Sequence, residues 1–319
     1  MRDGTPKKNK ASQWLIPGVF FGGALLLAGL GMLLLIGSAA LTAGGGGRFG
    51  NVAVIHVEGV IACSGGKGGP FSAGVAGSDT IIDQLARANK DKNVKAIILR
   101  INSPGGSAAA SQEIYQEIRR AAGKKKIVVS MGDVAASGGY YIACAADTIV
   151  ANPATMTGSI GVIMELQNME KLFGKIGLAP ETVKSGPFKD IGSPSRALTQ
   201  EERRILQGMI DQVYNQFVDD VTRGRKKMTR EGVKKLADGR IYTGQQAKEL
   251  GLVDELGGMR AAVRAAARLS GIKGEPSIVS YDTPSLIDML MGTVTTSIES
   301  AITGALESTL PPRGLPAMR

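Results

Sequence analysis

The chain has 319 residues, enough for one large domain or two small ones, with the 43% hydrophobic and 21% charged content of a globular protein. Aromatic residues make up only 4%, too few for the stacking platforms of a single-strand nucleic-acid binder. The net charge of +10 is spread among acids, with only short clusters at Lys124–Lys126 and Arg223–Lys227, so no nucleic-acid partner is expected. One histidine, His56, and two cysteines without a Cys-x-x-Cys pair give no zinc site, and no cofactor is expected. Cys63 and Cys144 are too few for a disulfide framework, and Cys144 sits in a small apolar run that reads as a buried helix.

In chain order, residues 1–14 open with Arg2, Lys7, Lys8 and Lys10 against the single acid Asp3. No charge occurs from Ala11 to Gly47, and Leu15–Leu41 is almost wholly apolar. Such a run exceeds the roughly 7–15-residue core of a signal peptide and suffices to span a bilayer, although Ser38, Ala39 and Ala40 imitate a cleavage site. Residues 15–41 are therefore expected to be a single transmembrane anchor. The basic flank stays in the cytoplasm and the rest of the chain lies outside the cytoplasmic membrane. Residues 42–50, with Gly44–Gly47, read as a linker.

The folded domain is expected over 51–275. Val52–Val57 has the β-branched content of a strand, and a Gly/Ser-rich loop follows from Cys63 to Ser78. Ser78 or Asp79 is placed to cap a helix reaching Ala88. Lys95–Ile101 and Ile127–Met131 are near-continuous apolar runs, the pattern of strands buried on both faces. Between them, Asn102-Ser-Pro-Gly-Gly turns the chain into a helix over Ala108–Ala122. Short strands are predicted at Thr148–Ala151 and Ile160–Met164. The capping box Thr199-x-x-Glu202 opens a long helix to about Thr222, and Gly251 stops a short one over Gly244–Leu250. The alternation of strand and helix predicts an α/β fold with largely parallel strands. Residues 276–319 are expected to hold a helix over Ser285–Leu306 and a disordered tail.

Two strand-to-helix turns carry candidate chemistry. Ser137, in Gly132-Asp-Val-Ala-Ala-Ser-Gly-Gly-Tyr-Tyr, stands where a helix begins among small residues that leave room for a peptide. Gly138 and Gly139 permit a tight turn with N–H groups exposed to a developing oxyanion. A serine here also reads as a plain N-cap. The sequence is not the Gly-x-Ser-x-Gly elbow, because Ala135 takes the first glycine position. Pro104-Gly105-Gly106 offers a second N–H, or is simply a turn. His56 lies in mid-strand, which suits packing better than a Ser-His-Asp triad. A lysine can serve as base where burial lowers its pKa, but composition does not say which one.

The motif around Ser137 is followed by Ala146-Asp-Thr-Ile-Val-Ala-Asn-Pro and Thr157-Gly-Ser-Ile-Gly-Val, then by Lys184-Ser-Gly-Pro-Phe-Lys-Asp-Ile-Gly-Ser-Pro. Tyr242-Thr-Gly-Gln-Gln-Ala and Leu250-Gly-Leu-Val-Asp-Glu-Leu-Gly-Gly complete the series. Together, from Val52 to Leu269, they closely resemble bacterial signal peptide peptidases of the SppA type, in the short form of the family. The resemblance implies the fold of Clp protease and crotonases, with Ser137 as nucleophile and Lys189 as general base. It also implies oxyanion donors at Gly138 and at Gly105 or Gly106. It further implies a homo-oligomer, an octameric ring whose active sites are shared between protomers. The expected activity is hydrolysis of signal-peptide remnants at the membrane. A crotonase-like acyl-CoA enzyme and an inactive membrane scaffold are the competing readings. The first is disfavoured by the expected topology, the second by the presence of both Ser137 and Lys189.

Overall fold

The computed structural model describes residues 50–64 and 75–281. The expected anchor at 15–41 and the helix at Ser285–Leu306 lie outside the described residues. Among the described residues, no helix is long and apolar enough to cross a membrane.

The expected α/β architecture is present as a parallel sheet between two helical layers. Its strands, in spatial order, are β10 (Ile278–Ser280), β1 (Val52–Glu58), β4 (Ala96–Ser103), β5 (Lys126–Ala136), β6 (Thr148–Ala151) and β9 (Glu255–Leu256). All neighbours on this path are parallel. Successive side chains of a strand point to opposite faces, and here both faces are apolar. Ile55, Leu99, Val129 and Met131 join the core on one side, beneath α1 (Ser78–Lys90), α2 (Ala108–Ala122) and α3 (Gly138–Ala143). Val54, Ile98, Val128 and Val150 face the other side, where Ala262, Ala265 and Ala266 of a C-terminal helix, Met259–Ser270, close over them. The sheet takes in residues beyond 275, because β10 pairs with β1 in register Val52 to Ile278.

Three local expectations change. The helix over Ser78–Lys90 has Gly77 as its N-cap. The Ser78 hydroxyl donates instead to the Glu113 carboxylate at 2.8 Å or to the Cys63 carbonyl at 3.0 Å. Ile160–Met164 is not a strand. The strand falls earlier, as β7 (Met156–Gly158), and Ser159 at φ 48 then breaks the extended run. Beyond it Ile163 is 89% exposed, with no sheet edge to join. β5 runs past Met131 to Ala136, because β7 pairs with its last residues after a register shift opposite Ile101–Ser103. That extension carries the chain to Ser137. β8 (Ile241–Thr243) backs β7 antiparallel, and β2 (Val60–Ala62) pairs with β3 (Val75–Gly77) in a separate ribbon.

Between β7 and the long helix α5 (Gln200–Gly224), residues 162–199 form a mostly exposed arm with one short helix, α4 (Glu170–Lys175). Thr199 and Glu202 make the expected capping box at the start of α5: Thr199 Oγ1 accepts from Glu202 N–H and the Glu202 carboxylate from Thr199 N–H.

Candidate active site

Ser137 follows the last residue of β5 and takes the N-cap position of α3, at φ 53 and ψ −121. Positive φ is strained for a residue with a Cβ, and such strain persists only where surrounding structure imposes it. Here the Ser137 N–H donates to the Gly158 carbonyl at 2.9 Å, and its own carbonyl accepts from Tyr141 N–H at 2.8 Å. Its hydroxyl does not cap the helix. The side chain is half-buried and lines a cleft of about 780 Å³, together with Gly106, Gly138, Tyr141 and Phe217. The helix behind it has six residues, so its first N–H groups, rather than a long dipole, are what the site can use.

The turn after β4 lies directly against Ser137. A Cβ on Gly105 would stand 2.7 Å from Gly138 N and 2.8 Å from Ser137 Cβ, so only glycine fits. Gly105 is also at φ 104. Its N–H is committed to the buried Ser103 hydroxyl at 3.1 Å, and its carbonyl accepts from Ile61 N–H at 2.8 Å. The Ile61 carbonyl in turn accepts from Ser107 N–H. Gly106 is exposed, and its N–H takes no part in the bonds that stitch this turn to β2. Its nitrogen is 3.3 Å from where a Cβ on Gly138 would sit. Of the glycines anticipated as oxyanion donors, Gly105 and Gly106 both lie against Gly138 across the turn.

Lys189 is not among the residues lining the cleft of its own chain. It is exposed on the 162–199 arm, with its N–H bonded to the Gly186 carbonyl at 3.2 Å. Lys184, on the same arm, is committed elsewhere: its ammonium donates to Asp190 at 2.6 Å and to the Pro187 carbonyl at 3.1 Å. Arg196, with Lys184 second, holds the Asp190 carboxyl well below the usual carboxylate range. His56 is exposed on β1 and outside the cleft lining.

Several residues of the site carried no sequence signal. Ser103 looked like part of a turn, yet it fixes the orientation of Gly105. Ser111 packs its hydroxyl against Gly138: a Cβ there would lie 2.5 Å from it. Tyr141, Gln216 and Phe217 form a wall of the cleft, braced by Asp220, which accepts from the Tyr141 hydroxyl. Burial pushes the Tyr141 hydroxyl far above the usual tyrosine range, so it stays protonated. Cys144 is buried beneath this wall and Cys63 is exposed at the β2 end, and both are free.

The model of peptidase family S49 matches residues 119–273, and the Clp protease model matches residues 72–158. A Synechocystis protein provisionally named protease slr0021 is 46% identical over 208 residues, covering 65% of this chain and 74% of that protein. Protease 4 of Salmonella typhi is 40% identical over 264 residues, covering 82% of this chain but only 41% of the relative. An Enterococcus faecium protein provisionally named signal peptide peptidase SppA is 41% identical over 204 residues, 64% of this chain and 59% of the relative. The chain thus spans less than two thirds of the length of two of these three relatives. The Clp-like match covers the segment that builds the turn and Ser137, and the S49 match carries on through the arm and α5. The chain belongs to peptidase family S49, and it is a serine-type peptidase.

Proposed function

We propose that the chain is a membrane-anchored endopeptidase that hydrolyses signal-peptide remnants, using Ser137 as nucleophile and Lys189 of a neighbouring copy as general base. One observation carries this reading. Ser137 lines a cleft together with Gly106 and Gly138, while Lys189 is exposed on the arm and is not among the residues lining that cleft. A second copy would supply what the first lacks. The arm also exposes Ile163, Leu172, Ile176 and Val183, an apolar content suited to burial against another subunit. Lys184, on the same arm, is paired with Asp190, which disfavours it as the base, and Lys189 is taken as the base because the family motif places its lysine there.

In this mechanism the neutral Lys189 amine accepts the Ser137 proton as Oγ attacks the scissile carbonyl. The N–H groups of Gly138 and Gly106 receive the oxyanion. Gly106 is preferred to Gly105 because the Gly105 N–H is already held by Ser103. The lysine ammonium then protonates the leaving amine. Water, deprotonated by the same amine, releases the acyl group from Ser137. The charge-free run Leu15–Leu41 would hold the cleft at the outer face of the cytoplasmic membrane, where apolar remnants accumulate.

Mixing subunits tests the shared site. Ser137→Ala and Lys189→Ala are each expected to be inactive, and mixed assemblies of the two to recover turnover. Lys184→Ala is expected to retain most activity. Verified mixed assemblies without recovered turnover would remove the shared site, and an active Lys189→Ala would remove the dyad.

A further inference from the structure

Asp190, the residue that follows Lys189, is tied down by one guanidinium. Arg196 donates Nε and Nη2 to the two Asp190 oxygens, at 2.9 and 2.8 Å. Its Nη1 and Nη2 also reach both Glu202 oxygens, at 2.8 and 2.5 Å. Two bidentate contacts by one planar group fix position and orientation together. Glu202 is 3% exposed, belongs to the first turn of α5, and its carboxylate also accepts from the Thr199 backbone N–H, a contact that does not depend on the Thr199 side chain. Asp190 is 11% exposed and directly follows Lys189. The backbone at Lys189 therefore has a rigid route, through Asp190, Arg196 and Glu202, to the helix whose later residues Val213, Gln216 and Phe217 wall the Ser137 cleft.

We propose that Arg196 is a positioning residue for the general base: it locks the Lys189 loop to the start of α5, so that Lys189 is presented in one geometry to the serine it serves. The inference rests on the reading of Lys189 as the base. The arm is otherwise exposed, and a long lysine side chain on an unpinned loop would sample many positions. Misplacing a reacting group by about 1 Å can cost on the order of 10²-fold in rate. Arg196 is not among the residues lining the cleft of its own chain, so its loss should act on turnover and not on substrate affinity. A lysine at 196 would keep the charge but cannot span both carboxylates in bidentate fashion.

The full chain, assayed with an apolar fluorogenic peptide, tests this. Arg196→Gln is expected to lower kcat by about 10- to 100-fold while KM changes by less than about threefold. Arg196→Lys should recover part of the loss. Thr199→Ala, which weakens the helix cap but leaves the guanidinium contacts, should lower the melting temperature and keep kcat. Equal kcat losses in Thr199→Ala and Arg196→Gln, or an unchanged kcat in folded Arg196→Gln, would overturn the proposal. Subunit mixing gives a readout that general destabilisation would not. Arg196→Gln should gain activity when mixed with Ser137→Ala, whose loop is intact, and gain none when mixed with Lys189→Ala. The opposite pattern would place the defect on the serine side and overturn it. If Lys189→Ala itself stays active, the dyad reading fails and the positioning role goes with it. If Lys189→Ala is inactive and Arg196→Gln is normal, only the positioning role fails.

Discussion

Ser137 holds a backbone conformation that costs a non-glycine residue about 1–3 kcal/mol, and the strand end, Gly158 and Tyr141 together impose it. The benefit is a hydroxyl that neither caps its helix nor turns back into the sheet. Gly105 packs directly against it across the turn. Gly105→Ala forces a Cβ to 2.7 Å from Gly138 N at a φ that alanine avoids, so the turn must shift. Turnover is expected to fall by about 10²-fold or more, with labelling of Ser137 by a serine-reactive probe lost in parallel. Normal labelling would show that the turn tolerates the change. Charge acts at the same scale. Arg196, with the Thr199 N–H second, pulls the Glu202 carboxyl from 4.5 down to about 2. A folded pKa below the unfolded one gives stability that is complete above about pH 4.5 and lost as pH falls through about 2. Melting curves from about pH 6 to about 2 should therefore fall less steeply for Glu202→Gln than for the unsubstituted chain. Parallel curves would mean that this carboxylate contributes no pH-dependent stability.

The central strands owe their position to side chains that are apolar on both faces. Leu99 of β4 is fully buried under the helical layer that bears α2 and α3. Leu99→Ala is expected to cost about 2–5 kcal/mol, read as a lowered denaturation midpoint with an unchanged slope. Because β4 runs straight into the Ser103–Gly106 turn, partial loss of activity should accompany it. Residue pattern located β1, β4 and β6, and the Asn102–Gly106 turn marked the start of the helix over Ala108–Ala122. The pattern misplaced the segment after Ala151, because Ile160–Met164 is as apolar as a strand. Which of two neighbouring runs joins the sheet depends on the free edge of β5 and on Ser159 at φ 48, neither of which is a property of the run itself.

Among the described residues, the exposed apolar surface is unevenly placed. Ile205, Met209 and Val213 recur at four-residue spacing along α5 and are 39%, 53% and 36% exposed, a single stripe that ends at the cleft. On the proposed shared site, this stripe and the apolar residues of the arm are where a second copy of the chain would dock. Ile205→Glu combined with Met209→Glu should shift sedimentation of the full chain in detergent from assembly to monomer and abolish turnover, while each subunit keeps its fold. A monomer that retains full turnover would show that a single chain suffices for catalysis.

The sequence by itself determined the α/β class, the buried parallel strands and the capped helix at Thr199, because these follow from local periodicity and from hydrogen bonds spanning a few residues. It also marked the small-residue turns at Gly105 and Ser137, since glycine and proline leave a local signature. Only the tertiary structure brought those two turns together across parallel neighbours β4 and β5, from positions more than thirty residues apart. Only it showed that Ser103 occupies the Gly105 N–H, that Lys184 is spent on Asp190 and that Lys189 is not among the residues lining its own Ser137 cleft. Those are pairings between distant or competing groups. Their outcome depends on which partner the fold brings within hydrogen-bonding distance, which no local pattern of residues encodes.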